Sequence, residues 1–481
     1  MGDLIEEHLK NKTHIFLLPL AGLFLFVLPI PHILIIRESI LFISIALMFY
    51  ALRAHRGIFL ETLASLRLQA LLYALFIAWV LVLALFISDD RVWALKEIKT
   101  QWVMGSLALL LGAGVAALAR KGVIDLRTVL TVIFWTLAIH IVAIDVDGIF
   151  RVITGLGGGL PFKGLTALTG GVGGLTIGPI DGSLLASLVF VFLLSEIILR
   201  SFYRKRLLRL SNALLVIFII LAVVSSILTG MRNIVEVPII ISSAILILIA
   251  CRGEVRKKAL YASVILVPVA LAALFFTYKS DKRWSDLLDC FNLVMAQEEP
   301  AEILSKSKDF VYPELPDNKP VNISNFLRLT KYRVGVDIIR ANPLGIGFGR
   351  NAFGHYLKGR YNASAGLNSD SSLLDMTIGT GLVGVGLFGA LIFTILARSF
   401  RAFRQRGDFY ALLLSLIIIC FASRMVFDSV MRDHLLEIFM FITGLLTTRV
   451  FLFGGGPRLT LQRSQYRYEE VSTSPERMKA V

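Results

Sequence analysis

Apolar runs of about 17 to 23 residues recur along nearly the whole chain, each long enough for a helix to cross a hydrocarbon layer of roughly 30 Å. A secretory signal would be a single short stretch. Spans are expected near residues 14–36, 38–53, 69–88, 101–119, 128–145, 181–199, 212–231, 234–251, 259–277, 373–397, 409–427 and 435–452. An apolar content of 56% and a mean hydropathy of +0.76 exceed what a soluble core needs. The expected fold class is an all-α polytopic membrane protein of about 12 transmembrane helices with one large loop domain.

A net charge of +15 would suit nucleic acid, but its placement argues for a membrane topology instead. Basic clusters recur at every second connection: Arg53 and Arg56, Arg120 and Lys121, Arg204 to Arg206, Arg252 to Lys258, and Arg398 to Arg406. The tail adds Arg458, Arg463 and Arg467. The positive-inside rule makes these connections and both termini cytoplasmic, which requires an even number of spans. The chain then divides into spans 1–9 (residues 1–277), an outer loop domain (278–372), spans 10–12 (373–452) and a basic tail (453–481). Cys251, Cys290 and Cys420 have no metal-ligand spacing, so neither a zinc site nor a disulfide framework follows.

The outer loop reverses sign along its length. Its first half carries Asp286, Asp289, Glu298, Glu299, Glu302, Asp309, Glu314 and Asp317. From Arg328 to Arg360 there are seven basic residues against Asp337 alone. A basic outer segment is either a solvated face against anionic headgroups or a site for an anionic ligand. Arginine forks match phosphate oxygens, and several together could steady a lipid-linked pyrophosphate as a leaving group. Ser324 or Asn325 can cap a helix over 326–341 with Leu329, Tyr332, Val336 and Ile339 as its apolar stripe, flanked by Arg328, Lys331 and Arg333. Asn342 and Pro343 stop it, and Gly345, Gly347 and Gly349 permit either sharp turns or close approach to a ligand.

Arg232 closes the seventh span on the same side, either snorkelling or facing a lipid phosphate. Arg424 and Asp428 stand four residues apart on one helix face and can pair within the membrane, a structural arrangement. Arg432, Asp433 and His434 form the outer turn that follows and could close the site. His140, Asp145 and Asp147 read better as satisfied bundle groups than as catalysts. The glycine-rich connection from Gly155 to Gly182 is a gate or a linker.

Together, Thr229-Gly230-Met231-Arg232-Asn233, Arg328-Leu329-Thr330-Lys331-Tyr332 and Asn342-Pro343-Leu344-Gly345-Ile346-Gly347-Phe348-Gly349 resemble the O-antigen ligase and polymerase superfamily, most of all lipopolysaccharide O-antigen ligases. The turn from Arg424 to His434 also resembles ligase sequences. The resemblance implies a C-type glycosyltransferase of the bacterial inner membrane that needs no metal or cofactor. Its partners would be an undecaprenyl-pyrophosphate-linked glycan donor, a lipid A-core or glycan acceptor, and membrane lipids, with no nucleic acid. Arg232, Arg328, Arg333 and Arg350 would bind the pyrophosphate, with Arg424, Asp428, Arg432 and His434 in support. A histidine near the end of the loop would take the acceptor's proton. Counting back from Gly381-Leu382-Val383-Gly384, that position is Asp370. Asp370 can be the base, or it can cap the tenth span, or both; His355 is the second candidate. A polymerase shares the donor and differs in the acceptor. A transporter fits less well, because no paired interrupted spans occur in matching halves and transport needs no basic loop of this size.

Overall fold

The computed structural model describes residues 16–30, 32–53, 55–154, 179–228, 236–251, 253–280, 286–305, 311–315, 319–347, 351–361 and 367–453. Its helices are α1 (Phe16–Val27), α2 (Leu34–Arg53), α3 (Arg56–Ser65), α4 (Arg67–Ile87), α5 (Arg91–Arg120), α6 (Leu126–Thr154), α7 (Pro179–Tyr203), α8 (Asn212–Leu228), α9 (Glu236–Ile249) and α10 (Glu254–Ser280). The loop segment supplies α11 (Leu287–Ala296), α12 (Pro300–Ser305), α13 (Ile323–Ala341) and α14 (Ala352–Tyr361). Then come α15 (Ser372–Arg406), α16 (Phe409–Phe427) and α17 (Asp433–Leu452). Among the described residues no strand forms beyond one isolated bridge between Glu314 and Pro320. This suits a chain in lipid, where helices satisfy their own backbone polar groups.

Among the described residues, eight helices have the length and apolarity to cross a membrane: α2, α4, α5, α6, α7, α15, α16 and α17. The other expected span positions hold the shorter apolar helices α1, α8 and α9, and α10 with Pro268 inside it. Several boundaries differ from those read in the sequence. The first break falls earlier than residue 37, around Pro29 and His32, whose φ is 64°. Helix α5 starts at Arg91 rather than 101 because the Asp90 carboxylate accepts from Trp93 N at 2.9 Å and caps it. Helix α6 runs past 145 to Thr154, so His140 and Asp145 lie inside it. His140 meets the Phe26 carbonyl at 2.8 Å, and Ser225 donates to Asp145 at 2.6 Å.

Helix α17 runs through the middle of the bundle and packs closest on α5. A Cβ at Gly112 would meet the Phe441 carbonyl, and one at Gly444 would meet that of Leu109. Small residues are what let two helix backbones approach this closely.

Helix α15 is broken at Gly381 (φ 68°, ψ −177°), a conformation open to glycine. Backbone from Pro343 to Gly347 docks into the break. Leu382 N donates to the Pro343 carbonyl at 2.9 Å, and Ile346 N donates to that of Ile378 at 3.0 Å. Trp79 Nε1 donates to the Thr380 carbonyl at 2.8 Å. A Cβ on Gly345 would lie 2.6 Å from Gly381 N and 2.7 Å from the Gly379 oxygen. The close approach that this glycine run permits is therefore to a membrane helix.

The loop segment has two small cores. One joins Cys290, Val294, Ile303, Leu315, Val321 and Phe326; the other joins Val334, Ile338, Phe353 and Leu357 to Leu374 and Ile378 of α15. Helix α13 starts slightly earlier than expected, since Asn322 caps it by accepting from Asn325 N at 3.2 Å. Its buried face is Phe326, Thr330, Val334 and Ile338. Leu329, Tyr332 and Ile339 flank that face half-buried, and Val336 is exposed, so the expected stripe is rotated from the real one.

Candidate functional site

Lys331, on α13, puts its Nζ 2.7 Å from Asp370 Oδ2. Asp370 has φ 59°, a left-handed conformation that aspartate tolerates better than most side chains. Its own N–H donates to Asn368 Oδ1 at 3.2 Å. The cap of α15 is the next residue: Ser371 Oγ accepts from Leu374 N at 3.3 Å. Asp370 is thus left to the ion pair and does not cap the helix.

The end of α16 is stitched to this turn. Ser371 Oγ donates to the Met425 carbonyl at 3.2 Å, Ser372 N donates to that of Asp428 at 3.0 Å, and Tyr332 OH donates to that of Val426 at 2.5 Å. Arg424 and Asp428 form the expected pair at 3.1 Å, with Arg424 only 2% exposed. An ion pair this deep fixes geometry more than it stabilises, because desolvation offsets much of the attraction. Burial pushes the Tyr332 phenol above its ordinary value; Ser371 and the Arg328 cation act against this, and the carboxylates of Asp370 and Asp428 add to it. Arg328, Asp370 and Asp428 therefore lie near one tyrosine, with Lys331 paired to Asp370 and Arg424 to Asp428.

Asp375, buried one turn inside α15, connects this cluster to α14. Its Oδ2 accepts a long 3.4 Å bond from Ser369 N, and the Phe353 N–H and the Arg432 guanidinium face the same carboxylate. Arg432 Nε and Nη2 are buried without a hydrogen bond among the described residues. His434 Nε2 lies 3.3 Å from Asp181 Oδ2 at the start of α7. Two residues beyond Phe353, His355 stacks on Trp93 with centroids 3.9 Å apart and planes 4° from parallel, its Nε2 3.9 Å from Asp90 Oδ2.

The residues singled out in the sequence fall into three groups. Arg328, Asp370, Arg424 and Asp428 converge, and Arg432 and His355 join them through Asp375 and α14. Arg333 turns to the far side of α13, where its Nη1 donates to the Val294 carbonyl of α11. Arg232 and Arg350 lie outside the described residues, as do residues 155–178 and the tail from 454. Asp375, Asp90 and Trp93 went unread. Asp375 had one signal, a carboxylate at the start of an apolar span; Asp90 could be read only as a helix cap.

A cavity of about 390 Å³ also opens within the bundle, between Leu66, Tyr73, Leu110, Phe388 and Thr443. Its lining is hydrocarbon, unsuited to a pyrophosphate, and the polar cluster lies elsewhere.

The family model for O-antigen ligase matches residues 237–389, about a third of the chain. The match takes in α10, the whole loop segment and α15 past its break at Gly381. No curated protein matches the chain. Over this segment, which holds the Lys331–Asp370 pair and the helix of His355, the chain is similar to the O-antigen ligase family.

Proposed function

We propose that this protein is a glycosyltransferase of the bacterial inner membrane that moves an O-antigen glycan from undecaprenyl pyrophosphate to lipid A-core. In this reading the chain spans the membrane twelve times, both termini are cytoplasmic, and residues 278–372 form a periplasmic domain. The observation that carries the reading is the convergence of Arg328 and Lys331 with Asp370 and the Arg424–Asp428 pair, inside the segment that matches the O-antigen ligase family.

The acceptor hydroxyl attacks the anomeric carbon, and the bond to the pyrophosphate oxygen breaks with its electron pair. Arg328, with Arg232 and Arg350, meets the charge that grows on the leaving phosphate. Arg333 holds α11 through the Val294 carbonyl and supports the site from behind. Arg424, Asp428, Arg432 and His434 fix the outer turn against α15 and α7.

A polymerase using the same donor is the second reading, favoured by the aspartate at 370 where ligases carry histidine. Gene deletion separates the two. A ligase mutant loses capped lipopolysaccharide and keeps long glycans on the carrier lipid, whereas a polymerase mutant loses the long glycans themselves. In a reconstituted assay Arg328→Ala is expected to lower transfer about 10²-fold, the usual effect of removing one charge-stabilising donor. Full activity would remove the pyrophosphate assignment. Transfer is expected to persist in excess chelator, and its loss there would contradict the metal-independent scheme.

A further inference from the structure

We infer that His355 and Asp90 work as a pair, His355 taking the acceptor's proton and Asp90 orienting it. This rests on the glycosyltransferase reading and assigns a step within it. Two outer segments separated by 265 residues in sequence meet here: the cap of α5, which carries Asp90 and Trp93, and α14, which carries His355.

Trp93 fixes the imidazole plane by parallel stacking at 3.9 Å. His355 Nε2 lies 3.9 Å from Asp90 Oδ2, while Asp90 Oδ1 accepts from Trp93 N at 2.9 Å. Histidine to carboxylate contacts commonly stand long before substrate binds and tighten afterwards. A hydrogen bond from Nε2–H to Asp90 selects the tautomer whose Nδ1 lone pair is available, and Nδ1 has no partner among the described residues. The imidazole is 29% exposed, within reach of an acceptor from outside. Asp370, by contrast, is engaged by Lys331 at 2.7 Å.

The step balances. The acceptor O–H proton passes to His355 Nδ1, the freed oxygen pair forms the new glycosidic bond, and the pyrophosphate departs with the electrons of the broken C–O bond. Asp90 offsets the imidazolium charge that results.

A double-mutant cycle in the full-length protein tests the assignment, using a polyprenyl-pyrophosphate glycan as donor. Asp90→Asn retains the helix cap and removes the charge. It is expected to lower kcat about tenfold with donor KM unchanged, and His355→Ala about 10²-fold. The double variant should be no slower than His355→Ala alone, and Asp90→Glu should recover part of the loss. A double variant slowed by the product of the two single effects would make Asp90 merely a cap and overturn the pairing. Full activity in His355→Ala would overturn the inference while leaving the glycosyltransferase intact. Folded wild-type protein that transfers nothing from any such donor would overturn the functional reading itself.

Discussion

Lys331 and Asp370 meet at 2.7 Å with Lys331 largely buried, so removing one partner strands the other. Lys331→Met is expected to cost about 1.5–3 kcal/mol, the range for a charge-assisted hydrogen bond, read as a lower melting temperature in detergent. Asp370→Asn should cost less, since asparagine keeps the left-handed backbone and removes the charge together with its need for a partner. Tyr332 adds a pH dependence. Burial raises its phenol in the folded state, so the fold holds that proton more tightly than the unfolded chain does. The stability this contributes is present below pH about 10 and is lost as pH rises through the folded value. Tyr332→Phe should flatten this alkaline loss and cost about 1 kcal/mol at neutral pH, through its bond to Val426. Alkaline unfolding curves for the two proteins check the sign. At this scale the sequence revealed the residues better than their partners. Arg424 and Asp428 were readable because helix geometry alone brings i and i+4 together. Lys331 and Asp370 are 39 residues apart, and His355 and Asp90 are 265 apart, distances no local rule spans.

The segment from Pro343 to Gly347 and the break at Gly381 are one interlocking joint, and its glycines are not equivalent. Gly345→Ala places a Cβ 2.6 Å from Gly381 N, against backbone that has no freedom to yield, at φ 95°. Loss of about 3 kcal/mol or more is expected, by overpacking and strain together. A Cβ at Gly386 or Gly389 meets nothing within 4 Å, so alanine there should be neutral or stabilise α15 by up to about 1 kcal/mol. Melting temperatures of the three variants, with protease sensitivity near residue 345, would distinguish a joint from a loose loop. Apolar length and charge made most helices legible, because both are local to the element. The break in α15 was not, since Gly381 sits in an apolar run of normal length and is opened by a partner 36 residues away. The α13 stripe was misread for a related reason. The buried face of that helix meets α11 through Phe326 and α15 through Val334 and Ile338, and it includes the polar Thr330, so apolar residues alone do not mark it.

For the whole molecule, orientation is the property most open to a direct test. Cys251, Cys290 and Cys420 are all buried, and burial raises the Cys290 thiol, so native cysteines should give little background labelling. On intact cells an impermeant maleimide should label Val336→Cys, whereas Arg401→Cys should label only after permeabilisation. The reverse pattern would invert the proposed topology. Repeated apolar runs made the membrane helices legible in the sequence, and the alternation of basic clusters supplies the orientation that this labelling tests. The way the loop segment sits on the bundle was not there to read, because it depends on backbone contacts among glycines. That seating makes the molecule mechanically continuous. Helix α15 leaves Leu382, Val383 and Phe393 exposed on its surface, while its break grips the strip of chain between α13 and α14. A tilt imposed on α15 by a thicker or thinner bilayer would reach the helix of His355 through Leu374 and Ile378, which pack with Phe353 and Leu357. Turnover in vesicles should therefore vary with the acyl-chain length of the host lipid at constant headgroup, as though the protein measured the thickness of the sheet that holds it.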